Sequence, residues 1–137
     1  MPTIFDAVPD SHRDLLAAPL TATLTTVDAR GRPQSTAVWF TVDAGGRLVG
    51  SITSDRQKYK NLRGNPNCSL FVIDPQNAFR TLEVRAEADL ASDPEKATVR
   101  TLAEAYEMDP EMIIDPAEDR YTVTLRPRRV VVTPASA

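Results

Sequence analysis

The sequence predicts a mainly β protein with inserted helices (α+β), arranged as a small barrel of six to seven antiparallel strands. The first observation is a period-2 alternation of apolar and polar side chains, which is typical of half-buried strands. The second is that turns containing Gly, Pro or Asp separate these segments, while two other segments carry helix signals. The predicted strands are 20–27, 34–42, 47–53, 68–73, 79–90, 120–127 and 128–133.

Chain length and composition indicate one ordinary domain. We expect a single domain over 1–137, with flexible termini at about 1–10 and 134–137. Hydrophobic residues make up 42% of the sequence, which is enough for one core. The formal net charge of −3, with small basic islands, argues against general nucleic-acid binding.

The expected location is the cytoplasm. No apolar run approaches the roughly 20 residues that a membrane-spanning helix needs, and the first residues lack the basic and apolar regions of an export signal. The sole cysteine, Cys68, has no internal disulfide partner, which fits a reducing compartment.

Each element in the first half of the chain has a local signal. Asp10 or Ser11 is expected to cap a short helix that ends before Pro19. The segment 43-DAGG-46 predicts a hairpin turn, since glycine tolerates positive φ. In the strand before it, alternation places Val38, Phe40 and Val42 on one face and Ala37 and Trp39 on the other.

Two longer helices are predicted in the interior of the chain. Ser54 and Gln57 match a capping box, so the first should begin at Asp55 and end near Gly64. The second should begin in 92-SDPE-95 with proline at its first position. Its apolar stripe consists of Val99, Leu102, Ala103 and Tyr106.

The end of the chain leaves one structural alternative open. The segment 108–119 is an acidic, proline-broken connection. It leads into 120–133, which forms either two strands or one strand bent at Pro127.

The first long helix carries an unusual charge for an acidic protein. Arg56, Lys58, Lys60 and Arg63 fall within eight residues. Cations in the first turn oppose the helix dipole, but together with unpaired amides they form an anion site. Arg56 and Lys58, near the open end, are the candidates, with Ser51 and the hydroxyls of Thr53 and Ser54 close by. On a helical wheel, Arg56, Lys60 and Arg63 share one flank and Lys58 and Asn61 the other.

A solvated helix is the alternative interpretation of this charge. In that case the cations pair with the acidic segment between Glu87 and Asp119 and bind no ligand. The spacing of the cations leaves both interpretations open.

The chain lacks the residues of self-sufficient catalysis. The sole histidine, His12, is expected to be a surface residue, and Cys68 a small core residue. No Cys/His cluster has zinc spacing, so no metal site is predicted. A bound cofactor that carries the reactive atom would explain this absence.

A family resemblance adds to this interpretation. The turn 31-GRPQ-34, the two strands after it and the pattern S-x4-R-x-K-x2-N-L-x3-P over 51–66 resemble the pyridoxamine 5'-phosphate oxidase-like FMN-binding split β-barrel. Within that superfamily the chain is most similar to the B group of flavin/deazaflavin oxidoreductases, over about 11–133. One departure is Val84-Arg85-Ala86, where the family often has Val-Arg-Gly.

The resemblance implies a set of cofactor-binding residues and a homodimer with the cofactor at its interface. It assigns a phosphate site to Ser51, Arg56, Lys58 and Asn61. The strand after the GRPQ turn would lie beside the ring of the cofactor, and Phe79 in loop 76–80 of the partner chain would cover it. That strand contributes Gln34, Thr36, Ala37, Val38 and Trp39, although plain core packing remains an alternative for Trp39.

The cofactor suggested by the resemblance is coenzyme F420 (8-hydroxy-5-deazaflavin), with FMN as the alternative. The oligoglutamate tail of F420 would engage Lys60 or Arg63. The expected activity is hydride transfer from F420H2 to a small electrophile (an enone, quinone or tetrapyrrole), with loops 74–80 and 108–119 shaping the substrate site. The alternatives are an FMN-binding oxidoreductase, a cofactor carrier without turnover, and a structural dimer with an acidic partner.

Overall fold

The computed structural model describes residues 2–134 and has the predicted α+β class. Within this range seven strands form one antiparallel sheet in the order β2-β1-β5-β6-β7-β4-β3. The sheet is curled into a split barrel. The strands are β1 Ala22–Val27, β2 Pro33–Val38, β3 Thr41–Val42, β4 Leu48–Thr53, β5 Asn67–Asp74, β6 Asn77–Ser92 and β7 Arg120–Thr133.

Curling of the sheet follows from the connection between β2 and β3. These strands are the opposite edges of the sheet, yet only Trp39 and Phe40 separate them. Seven strands about 4.8 Å apart would place the edges of a flat sheet about 29 Å apart. The three peptide steps from Val38 to Thr41 span at most about 11 Å. The sheet must therefore close on itself at this link.

Tyr106 holds the link in place. Its hydroxyl lies 2.6 Å from the carbonyl oxygen of Leu20, just before β1, and accepts a hydrogen bond of 3.1 Å from the amide of Phe40. Its ring stacks on Trp39 with centroids 4.7 Å apart. Burial raises the pKa of Tyr106, so the hydroxyl stays protonated at neutral pH.

The barrel interior is an aliphatic core. The alternating burial of β1, β5 and β6 sends every second side chain inward, as the sequence pattern predicts. Each fully buried Leu or Val stabilises the fold by about 1.5–3 kcal/mol relative to exposure. The most deeply buried side chains include Leu48, Leu70, Val72, Leu82 and Val84.

The helices lie outside this core. They are α1 Asp14–Ala17, α2 Gln57–Gly64, α3 Ala97–Ala105 and α4 Pro110–Ile113, preceded by 3-10 turns at Ile4–Ala7 and Asp10–His12. Helix α3 packs against β4 and buries the predicted residues Val99, Leu102 and Ala103. Both faces of β4 are therefore covered.

Both long helices begin later than predicted. The Ser54–Gln57 capping box does not form: the amide of Ser54 donates to the carbonyl oxygen of Asp119, and Arg56 occupies the cap position in an extended conformation. Helix α3 begins at Ala97 and not at Pro94. The carboxylate of Asp93 accepts hydrogen bonds of 3.0 Å from the amides of Ala97 and Thr98, the first two residues of α3. Asp93 therefore caps the helix from a position about one turn before its first residue.

The sequence left open whether residues 120–133 form two strands or one strand bent at Pro127. Residues 120–133 form one strand, β7, in which Arg85 pairs with Arg129 and Ala86 with Pro127. Arg128 is thus the extra residue of a β-bulge, which bends the strand and increases its twist. The segment 34–42, by contrast, is two strands, because the backbone turns at Trp39 and Phe40.

The N-terminal segment contributes to the core. Ile4 and Val8 are buried, and the amide of Ile4 donates to the carbonyl oxygen of Gly46. The prediction that His12 lies on the surface is wrong. His12 is 3% exposed, with its Nε2 2.9 Å from the carbonyl oxygen of Thr133. The predicted flexible C-terminal end at 134–137 lies outside the described residues, except for Pro134.

None of the helices in the described part of the chain has the length and apolarity that crossing a membrane requires. Residues 2–134 contain no group of three or more His, Cys, Asp or Glu side chains arranged to hold a metal ion.

Tyr106→Phe tests whether the hydrogen bonds of the Tyr106 hydroxyl stabilise the link between β2 and β3. It would leave the amide of Phe40 without its partner, and we expect the free energy of unfolding to fall by about 1–3 kcal/mol. Chemical denaturation measures this change. Tyr121→Phe, which removes a more accessible hydroxyl paired with Tyr59, should have a smaller effect. Equal losses in the two variants would contradict the assigned role of Tyr106.

Candidate functional site

The candidate site is a groove where the curled edges of the sheet meet. Strand β2 forms one side, β4 and the start of β7 form the floor, and α2 and α3 close the two ends. Two adjoining compartments make up the groove. The volume of each compartment is within the range of small-molecule sites, roughly 300–1,000 Å³.

The compartment next to α2 is polar and has a volume of about 320 Å³. Among the described residues that line it, three are cations and one, Glu118, is a carboxylate. The lining residues are Gln34, Thr36, Ala37, Ser51, Ile52, Thr53, Arg56, Gln57, Lys58, Glu118 and Arg120.

The compartment next to α3 is largely apolar and has a volume of about 410 Å³. The end of β2, the following Trp39 and helix α3 together supply half of its lining residues. The lining residues are Thr21, Ala37, Val38, Trp39, Ser51, Lys58, Val99, Leu102, Ile113 and Arg120.

The two compartments meet at a neck formed by Ala37, Ser51, Lys58 and Arg120, which line both. Lys58 projects from α2 and Arg120 from the start of β7. A ligand that occupied both compartments would pass between these two cations.

Lys58 is held in an unfavourable environment for a cation. Burial, followed by repulsion from Arg56 and then from Arg120, lowers the pKa of Lys58 below its ordinary value. Its ammonium donates one weak hydrogen bond, 3.3 Å long, to the hydroxyl of Thr36. An anion placed beside Lys58 would relieve both the desolvation and the repulsion.

Two buried polar atoms at the neck have no hydrogen-bond partner within the described part of the chain. They are the hydroxyl oxygen of Ser51 and the Nε of Arg120. Buried polar groups are nearly always paired, and leaving one unpaired costs about 1–3 kcal/mol. Such atoms in a groove mark a position where a ligand, or a side chain that rearranges around it, completes the bonding.

The apolar compartment has a flat aromatic wall. Trp39 and Tyr106 stack with an interplanar angle of 12°, and Trp39 faces the compartment. Val99 and Leu102 of α3 add an aliphatic surface. This arrangement suits a planar ring system. Trp39 both lines the groove and packs on Tyr106.

A network of side-chain amides separates the polar compartment from a neighbouring cleft. The Nδ2 of Asn61 donates to the hydroxyl of Thr26 and to the Oε1 of Gln34, and its Oδ1 accepts from Gln57. Asn61 itself is 5% exposed. Lys60 lies in the cleft on the far side of this network.

The structure brings together eight of the eleven residues predicted to bind the cofactor. They line the groove and are Gln34, Thr36, Ala37, Val38, Trp39, Ser51, Arg56 and Lys58. The other three lie elsewhere. Asn61 belongs to the amide network, Lys60 to the neighbouring cleft, and Phe79 is 84% exposed at the start of β6.

The predicted division of α2 into flanks is wrong for Arg56, which lines the same compartment as Lys58. The reason is that α2 begins at Gln57. Arg56 has extended φ and ψ values of −80° and 147°, so a helical wheel does not apply to it.

Sequence reasoning missed Arg120, which begins β7 and reaches the polar compartment about 60 residues after α2. It also missed the role of Val99 and Leu102, which were predicted only as core residues of α3 and which line the apolar compartment. Ile113 and Glu118 line the groove as well, and both belong to the loop 108–119 that was expected to shape the substrate site. The sequence around Arg120 gives no local sign of a ligand, because only the pairing of β4 with β7 brings it to the groove.

A flavin-type cofactor fits this groove. The apolar compartment with its aromatic wall accommodates a tricyclic ring, and the cationic compartment accommodates a phosphate. The unpartnered hydroxyl of Ser51 lies between them. Arg56, Lys58, Thr36 and Ser51 are the residues that would hold the acidic end.

Comparison with known proteins agrees with this geometry. The sequence model of the pyridoxamine 5'-phosphate oxidase family matches residues 8–133. The chain belongs to this family. The resemblance inferred from the GRPQ turn and the motif over 51–66 is thereby confirmed.

One solved structure supports the family assignment, and a second shows the same fold. An F420 reductase is 38% identical to this member of the pyridoxamine 5'-phosphate oxidase family, with a TM-score of 0.81, and the match covers 90% of this chain and 98% of that one. A conserved hypothetical protein from Mycobacterium tuberculosis is 21% identical, with a TM-score of 0.75 and coverage of 100% and 96%.

A third similar structure is HutZ, the heme storage protein from Vibrio cholerae. It is 24% identical, with a TM-score of 0.62 and coverage of 82% and 85%, and this similarity concerns the fold alone. Among curated protein sequences none matches the chain.

Asn61→Ala tests whether Asn61 is part of the amide network. The change leaves Thr26, Gln34 and Gln57 without their shared partner, and we expect the free energy of unfolding to fall by about 1–3 kcal/mol. Asn67→Ala, at an exposed amide, should stay within about 0.5 kcal/mol of the wild type. An Asn61→Ala protein as stable as the wild type would refute the structural assignment.

Lys58→Met tests the unfavourable environment of Lys58. Because folding lowers the pKa of Lys58, its ammonium destabilises the folded state below that pKa, and the penalty disappears as the pH rises toward 10.5. We expect the variant to be more stable than the wild type at pH 7, with an advantage that shrinks toward pH 10.5. Denaturant titrations across this range measure it. Lys60→Met is the control at an exposed lysine of α2, and parallel pH profiles for wild type and Lys58→Met would exclude the effect.

Proposed function

We propose that the protein is an F420-dependent reductase that transfers hydride from F420H2 to a small electrophile such as an enone, a quinone or a tetrapyrrole. The observation that carries the proposal is the joining of a cationic and an aromatic compartment in one groove. The F420 reductase that is 38% identical over nearly its whole length supports the choice of cofactor.

The polar compartment would hold the acidic end of the cofactor. Arg56 and Lys58 supply positive charge, and Thr36 and Ser51 supply hydroxyls. Charge-assisted hydrogen bonds of this kind are about twice as strong as neutral ones. Because the ammonium of Lys58 is already partly desolvated in the folded protein, binding an anion requires little reorganisation of the water around it.

The apolar compartment would orient the ring and exclude water from it. Trp39 and Val38 provide flat and aliphatic surfaces on which a ring can lie. The bound deazaflavin supplies the hydride, so the protein needs no nucleophile or general base of its own. Ile113, the last residue of α4, lines the same compartment and would contact the approaching substrate.

A homodimer with the cofactor at its interface is part of the proposal. Phe79 is 84% exposed and Ile73 of the same hairpin is 47% exposed, which is unusual for large apolar side chains. The loop 76–80 of a partner chain would then complete the cover of the ring.

A cytoplasmic location is also proposed. Cys68 is buried, and its burial raises the pKa of the thiol to about 11, so it stays a protonated core residue. A chain that relies on a reduced coenzyme for its chemistry fits a reducing compartment.

FMN remains the alternative cofactor, and one observation favours it. Lys60 lies beyond the amide network, and Arg63 sits 5.8 Å from the ring centroid of Tyr59, so neither lines the groove. The two cations expected to bind an oligoglutamate tail are thus separated from the phosphate position. FMN has no such tail. The same groove would serve an FMN-dependent oxidoreductase or a cofactor carrier without turnover.

Titration of the apo-protein with F420 and with FMN tests the proposal. We expect F420 to bind more tightly, and Arg56→Gln and Lys58→Gln each to weaken binding by about 10-fold or more, the value of one charge-assisted hydrogen bond. Quenching of intrinsic fluorescence reports binding. Arg30→Gln, in the exposed turn after β1, is the control. Tighter binding of FMN would reverse the choice of cofactor.

Turnover separates a reductase from a carrier. Steady-state oxidation of F420H2 is followed with a panel of enones, quinones and tetrapyrroles. Tight binding without oxidation of F420H2 by any acceptor would leave a carrier as the function.

A further inference from the structure

We propose that Arg120 is a specificity-determining residue that binds the phosphate of the cofactor opposite Lys58, with Glu118 moderating its charge. The inference rests on the proposed function, because it assumes a phosphate-bearing cofactor in the groove. It extends the anion site from α2 to a strand that the sequence motif does not include.

The position of Arg120 follows from the strand register. Arg120 pairs with Thr53 across β4 and β7, and Ser51 lies two residues earlier on β4. Directly opposed residues in an antiparallel pair share a face, as do residues two apart on one strand. The side chain of Arg120 therefore starts on the face that carries Ser51 and Thr53, and it reaches the neck of the groove.

The bonding of Arg120 is incomplete for so buried a cation. Its side chain is 15% exposed, its only ion pair among residues 2–134 is a 3.3 Å contact with Glu118, and its Nε has no partner there. Partly buried charges are costly unless they are fully hydrogen-bonded.

A comparison within the same protein shows what a structural arginine looks like. Arg80 is 21% exposed, similar to Arg120, yet it contacts the carboxylates of Asp14 and Asp74 and the carbonyl oxygen of Ser11. Arg80 thereby ties the β5–β6 hairpin to α1. Arg120 is as buried as Arg80 but lacks such a set of partners. The N–H groups of its guanidinium are therefore available to bind a ligand.

The electrostatics of the neck select a compact anion. Arg56 and Arg120 both repel Lys58 and contribute to its lowered pKa, so positive charge is in excess at this point. Glu118, which is 34% exposed, offsets part of that excess. A phosphate between Lys58 and Arg120 would neutralise two cations at once, and the planar guanidinium matches two phosphate oxygens.

The experiment compares cofactors with and without their phosphate. FMN is paired with riboflavin, and F420 with its phosphate-free ribityl deazaflavin, in fluorescence titrations of the wild type, Arg120→Gln and Glu118→Gln. We expect Arg120→Gln to weaken binding of the phosphorylated form by about 10-fold or more and that of the phosphate-free form by less than about 2-fold.

Glu118→Gln should act in the opposite direction. Removing the carboxylate frees Arg120 and raises the local positive charge, so the phosphorylated cofactor should bind a few-fold more tightly. A purely structural Glu118–Arg120 pair would give no such gain. This variant also keeps the inference testable if Arg120→Gln folds poorly, which thermal unfolding would reveal.

Arg126→Gln is the matched control, since Arg126 is an arginine of the same strand whose ion pairs with Asp89 and Glu87 lie outside the groove. Its affinities should equal those of the wild type. Equal weakening of both forms of a cofactor by Arg120→Gln would place Arg120 at the ring and overturn the inference, as would unchanged affinity in both variants. If the wild type binds none of the four compounds, the proposed function itself fails.

Discussion

The short link between β2 and β3 is the constraint on which the rest of the molecule depends. Two residues join the opposite edges of a seven-stranded sheet, so the sheet has to curl until those edges meet. The groove exists because the edges approach each other without pairing. Trp39, one of the two linking residues, is at the same time part of the wall of the groove. Closure of the barrel and formation of the site are therefore one structural event.

The groove is also the place where the chain departs from what stability alone would favour. Elsewhere in residues 2–134 the buried polar side chains are paired, as with His12, Asp93 and Asn61. At the neck, Lys58 is desolvated among other cations, and atoms of Ser51 and Arg120 lack partners in the described range. Concentration of such groups at one location is the expected signature of a binding site, because a ligand compensates what the fold alone leaves unsatisfied.

Local patterns were sufficient for the class of the fold and for one side of the site. Alternation identified the strands because burial on one face imposes a period of two, and the motif on α2 identified Arg56 and Lys58. Local patterns were insufficient where tertiary contacts decide. His12 is buried by the end of β7, more than 100 residues away, and Asn61 by β1 and β2. Arg120 joins the site only through the register of β4 and β7, which no short window of sequence encodes. The predicted capping box at Ser54 does not form for a related reason. The amide of Ser54 donates to the carbonyl oxygen of Asp119, which is distant in the sequence.

The place of Tyr106 directly after the last residue of α3 has an evolutionary consequence. Its hydroxyl secures the strand link, and the next residue, Glu107, turns the chain away from the helix with a positive φ of 56°. Everything from Glu107 to Asp119 lies beyond that anchor, yet it contributes Ile113 and Glu118 to the groove. Insertions or replacements in this stretch would reshape what enters the groove while the barrel stays closed, so descendants of one scaffold are free to diversify in the molecules they accept.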